Sequence, residues 1–385
     1  MTRCAVATGV MTRCAVVTGV RPGCRPQWRT PPRLSRPEVL ELALWAAGGD
    51  PRLAVSGRGG QSLTAGPRPG AVAGAGDEAL TRARCAVRAA RERQRLGRHA
   101  EAAALADTAL LWARRAGSEP ERATALSVLG VSLWHGPEPV SAAVLRLRGL
   151  LEEHGEKRPA ARLALAVPLA VLHGMQERWT LARAALDLVR SVAVESDPAS
   201  GGVLVSVLTA RVESLAGRTL PAVRLLRAAA DAADAHGLGL LRDAVRWAAV
   251  RLLTDTDRYE EAARWLPRGC PPPSRTVGGG GAAWTVGEVR PAGLAARIAA
   301  AQGRTGEART LAERAVGEAA ATDSPLAQAL ARLDQAEVLR LTGCRDEARH
   351  AVSLAGWGFA RKGHVPGVSD ATVRHAALAS VVRSG

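Results

Sequence analysis

Arginine is the residue type through which this chain could do chemistry. Arg91, Arg211, Arg251 and Arg297 fall at one equivalent place in a repeated unit, where the remaining units carry Val131, Val171 and Glu337. A guanidinium offers a planar fork of donors that grips a carboxylate with two parallel bonds. Four of them at one place would form a basic stripe for an acidic protein or peptide. The alternative is an arginine-rich composition that simply puts arginine on solvated faces. Trp134 and Trp247 stand in the same set of helices and serve either that stripe or the core.

Catalytic patterns are not found. A phosphate-binding loop needs a lysine after glycine, but the two lysines follow Glu156 (Lys157) and Arg361 (Lys362). Gly130-Val131-Ser132 lacks the closing glycine of a nucleophile elbow, because Trp134 stands there. The cysteines at 4, 14, 24, 85, 270 and 344 form no Cys-x-x-Cys pair, and His135, His154, His173, His236, His350 and His364 show no i, i+4 pairing suited to a metal. The expectation is a chain that is not an enzyme, with no cofactor and no metal.

Composition limits the partners. The 385 residues carry a formal charge of +16, a balance that ordinarily points to nucleic acid. The scarcity of lysine, the absence of asparagine and the excess of Ala, Arg, Gly and Pro instead suggest a GC-rich coding bias. Nucleic acid is therefore not expected as a partner of this chain by itself, and no apolar run long enough for a membrane span is present. Met1–Val20 is too polar for a secretion signal, so free thiols in a cytoplasmic protein are expected. Self-association stays open.

The elements that must position the arginines come from a repeat. Ala102, Ala142, Ala182, Ala222 and Ala262 follow one another at intervals of 40, as do Ala308 and Ala348. The irregular step between Ala262 and Ala308 contains a Pro/Gly-rich insertion at 267–281. Five residues before each alanine lies a turn position: Gly97, Pro137, Glu177, Gly217, Asp257, Gly303 and Gly343. Seven before each turn lies Ala90, Gly130, Ala170, Ala210, Val250, Ala296 or Ala336. Small residues at both offsets let two helices approach closely across each turn. Such a period predicts about seven stacked helical hairpins, none able to bury its apolar stripe alone. The array is expected over 77–385, closed by a helix from Ser369 to Val382 with a Ser-Asp start. Before it come a disordered head at 1–36 that includes a tandem decapeptide, a short helix over Glu38–Ala47 within 37–56, and a Gly/Pro linker at 57–76.

These offsets resemble the tetratricopeptide pattern, in a long-period form. Ala125–Gly130 with Trp134–Val140, Trp284–Arg314, Asp334–Gly343 and Arg361–Gly363 resemble the C-terminal arrays of actinobacterial multidomain AAA/STAND ATPase regulators of the cyclase or LuxR-type group. Ala47–Ala54 is similar to a segment of the lid of such ATPases, which would make 37–56 a remnant of it. The resemblance implies an all-α, right-handed superhelical solenoid in which the first helix of each hairpin lines a concave groove. It would place Arg91, Arg211, Arg251, Arg297, Trp134 and Trp247 in or near that groove. It implies a protein-interaction scaffold, the sensor or regulatory arm of a signalling or transcriptional regulator without its cyclase and ATPase modules. The alternatives are a DNA-associated regulator of the LuxR type, for which the chain stops too soon after the array, and a degenerate fragment of such a regulator.

Overall fold

The computed structural model describes residues 36–46, 75–155, 158–266 and 291–380. The head, the linker and the insertion with its flanks, Trp284 included, lie outside them. The described residues form sixteen helices and no strand. Helix α1 is Arg36–Ala46. The pairs that follow are α2 (Ala75–Arg95) with α3 (His99–Arg115), α4 (Glu119–His135) with α5 (Val140–His154), and α6 (Pro159–Met175) with α7 (Trp179–Ser196). Next are α8 (Pro198–Leu215) with α9 (Thr219–Ala235), and α10 (Gly239–Asp255) with α11 (Tyr259–Trp265). Last come α12 (Pro291–Ala301) with α13 (Thr305–Ala320), α14 (Pro325–Leu341) with α15 (Arg345–Lys362), and α16 (Val365–Ser380). From α2 onward consecutive helices pack against each other, as a helical repeat solenoid requires.

Turn chemistry sets the hairpins. Gly97, Gly217, Gly303 and Gly343 all have φ between 70 and 83°, the left-handed conformation that ends a helix with least strain in glycine. Glu177 and Asp257 adopt the same conformation at φ 59° and 56° without glycine's freedom. Six of the seven alanines expected to face the partner helix, Ala102, Ala182, Ala222, Ala262, Ala308 and Ala348, are fully buried. Ala142 is the exception. The turn at Pro137 spans four residues instead of three, which rotates α5 by one position, so Ala143 is buried and Ala142 is exposed.

Close approach also occurs between hairpins. Pro168 sits inside α6 and has no N–H to give to the Ala164 carbonyl. Gly130 of α4 packs into this notch: a Cβ there would lie 2.9 Å from the Pro168 ring and 3.1 Å from the Ala164 oxygen.

The array also returns upon itself. Asp323, before α14, accepts the His99 and Ala100 backbone N–H groups at 2.9 and 2.8 Å, capping the start of α3 from more than 200 residues away. Lys362, at the end of α15, is fully buried. Its ammonium donates to the carbonyls of Leu133, Gly136 and Glu138 at 2.8–2.9 Å, at the C-terminal end of α4. An acid at a helix start and a base at a helix end both match the local backbone dipole. The closing helix begins at Val365 instead of Ser369, because Gly363 ends α15 in the left-handed conformation and Pro366 suits a first turn.

Candidate functional site

The residues singled out as a stripe lie on the inner face of the array, in α2, α4, α6, α8, α10, α12 and α14. That face is occupied. Helix α1 lies on it, packed chiefly against α8 and also against α4, α6, α7 and α10. Leu42, Ala43, Leu44, Trp45 and Ala46 are five consecutive buried residues, and Val39 is buried one turn earlier. A helix on a surface hides one stripe, so burial at consecutive positions means that α1 is surrounded. Val131 lies buried against Trp45.

Two of the four arginines hold α1. Arg91 pairs with Glu41 at 2.6 Å and stays 42% exposed. Arg211 donates through Nε to the Ala46 carbonyl at 3.2 Å, at the C-terminal end of α1. Its guanidinium also lies over the Trp134 ring, 5.0 Å from the centroid. Trp45 stands 5.8 Å from His135, which stacks on Trp134 and on His99. His135 is buried; the low-dielectric surroundings, then His99, Arg211 and Lys362, hold its imidazole well below the ordinary value and therefore neutral.

The other two arginines are turned inward. Both Arg251 terminal nitrogens bind the fully buried Asp334 carboxylate. Arg297, 1% exposed, reaches Asp255 at 2.6 Å, Asp334 at 3.2 Å and the Thr254 carbonyl. Burial alone would raise the Asp255 carboxyl, but Arg297 and Arg251 outweigh it and hold it below its usual value. A neighbouring chain joins Tyr259, Glu337 and Arg340. Burial, then the hydrogen bond to Glu337, pushes the Tyr259 hydroxyl upward, so it remains a donor. In place of an open basic stripe, Arg251 and Arg297 thus form an internal ion-pair network that joins α10, α12 and α14. Trp134 and Trp247 are buried core residues, the second with no partner for its indole N–H among the described residues.

Beyond the C-terminal end of α1 lies a cavity of about 370 Å³. Its walls include Leu226, Leu252, Leu330 and Phe359, with Arg211 and Arg374 among its polar groups. Helix α16 adds Pro366, Gly367, Asp370 and Arg374 to the lining. It faces the interior of the array as well as covering α15.

Ser132 is buried within α4, where its hydroxyl accepts from Gln94 at 2.9 Å. Among the described residues no group of three or more His, Cys, Asp and Glu side chains could hold a metal, and no helix is long and apolar enough to cross a membrane. Sequence reasoning missed Glu41 and Trp45, assigned to a lid-like remnant, and Asp323, Asp334 and Lys362. Only Lys362 carried a signal, as one of two lysines in the chain. Compared with known proteins, the chain matches no family model and no curated sequence.

Proposed function

We propose that the chain is a non-enzymatic protein-interaction scaffold: a right-handed, tetratricopeptide-like solenoid whose inner face accepts a helix. In this reading it is the regulatory arm of a bacterial signalling or transcriptional regulator and works in the cytoplasm. The observation that carries the reading is α1, a helix seated on that face and gripped by arginine at its middle and at its C-terminal end. Burying each large apolar side chain of α1 contributes about 1.5–3 kcal/mol, and ordering each residue costs about 1–2 kcal/mol. The two terms are comparable over eleven residues, so the seat binds a helix reversibly.

A photo-crosslinking side chain at Ser214, which lines the cavity, should give a specific protein adduct in cells. The same group at Leu145, 74% exposed on the opposite side of a hairpin, should not. Adducts from Leu145 alone would overturn the reading.

A further inference from the structure

The geometry points to a defined partner for this face, an inference that rests on the scaffold reading. We propose that the seat recognises an apolar helix bearing one acid followed four residues later by an aromatic. Helix α1 is its resident occupant, and a partner helix with this pattern binds by displacing α1.

Three contacts set the pattern. Glu41 meets Arg91 on α2, Trp45 meets His135 on α4, and the terminal carbonyl of Ala46 meets Arg211 on α8. Glu41 lies at the middle of the helix, and Arg211 sits at its terminal carbonyl, where the backbone dipole favours a cation, so the two unlike contacts also set the direction of the bound helix. Between them Leu42, Ala43 and Leu44 are enclosed, which excludes a polar or bulky residue at the centre.

Other features make α1 displaceable. It lies outside the 40-residue register and has no hairpin partner among the described residues. The array closes through contacts of its own helices, Asp323 with the start of α3 and Lys362 with the end of α4. Residues 47–74, which join α1 to the array, contain eight glycines and three prolines. The ion pair with Arg91 is partly exposed and hence weak. A cavity lies at the Ala46 end of α1, so a longer partner helix has lining residues to meet beyond those α1 covers.

The test uses the full chain with a specific protease site inserted between Gly57 and Gly66. The probe is a fluorescent synthetic peptide of residues 34–48, followed by anisotropy before and after cutting. Before cutting, α1 competes intramolecularly at an effective concentration near millimolar. Cutting should therefore tighten peptide binding by about 100-fold. Peptides carrying Glu41→Lys or Trp45→Ala should bind at least about tenfold more weakly, the size of one lost anchor. If the cut chain takes up no peptide, or loses its helical circular dichroism on dilution, α1 is a permanent core element and the proposal fails. Concentration-dependent dimers of the uncut chain would assign the seat to a second copy's α1 and overturn the partner assignment. None of these results depends on the crosslinking at Ser214, so the scaffold reading stands or falls separately.

Discussion

At the scale of single residues, the same side chain takes opposite roles according to what faces it. Arg91 and Arg297 share one place in the repeat. One is 42% exposed and grips a neighbouring helix, while the other is buried between two carboxylates. Their surroundings differ because α14 brings Asp334 to the interior, a contact that periodicity cannot show. His135 has a consequence for pH. Its folded value lies below the ordinary imidazole value, so on acidification below about pH 6.5 the unfolded chain takes up a proton that the folded chain refuses. Stability present above that pH is lost as pH falls, by up to about 1.4 kcal/mol per pH unit for one group. His154 and His173 shift in the same direction and add to the slope. Urea unfolding at pH 7.5, 6.5 and 5.5 should show a shallower dependence in His135→Gln than in the parent chain. Identical slopes would contradict the assignment.

At the scale of elements, the hairpin is legible in the chain because its determinants are local. A turn position, an alanine five positions on and a small residue seven positions back were enough to place the hairpins. The misplacement at Ala142 has a local cause too: one extra turn residue at Pro137 rotates the following helix by a single position. Glu177 shows the cost of lacking glycine. It is exposed and adopts φ 59°, a conformation that costs an L-residue about 1–2 kcal/mol. Glycine there loses about 0.5–1 kcal/mol in chain entropy. Glu177→Gly should therefore raise stability by roughly 0.5–1 kcal/mol, read as a higher midpoint in thermal unfolding. A lower midpoint would show that Glu177 makes a contact worth more than the strain.

At the scale of the whole array, two long-range polar latches, Lys362 in the interior and Asp323 half-buried, matter more than the many surface ion pairs. Exposed arginine–carboxylate pairs contribute about 0–1 kcal/mol each and fade with salt. Lys362 is different: all three of its donors are satisfied within the protein. Lys362→Met leaves buried carbonyls without a donor, at about 1–3 kcal/mol. It should deprotect the α4–α5 corner in hydrogen exchange while leaving the α8–α9 hairpin protected. Asp323→Ala should do the same at the start of α3. Uniform deprotection across the array would mean that neither residue acts as a latch.

The amino-acid sequence by itself determined the helical class, the 40-residue ruler, six of the seven buried alanines and the short first helix. Each of these depends on neighbours three to seven residues apart or on a turn of fixed conformation. Only the tertiary structure decided what faces the inner surface. Curvature accumulates as a small rotation per hairpin, and spacing does not encode that rotation. Whether Arg297 meets solvent or Asp334, whether Asp323 reaches His99, and whether α1 lies apart or within the array all depend on that sum. The arginines and the first helix were found in the chain; the pairing of the arginines with Asp334 and with that helix came from the tertiary structure.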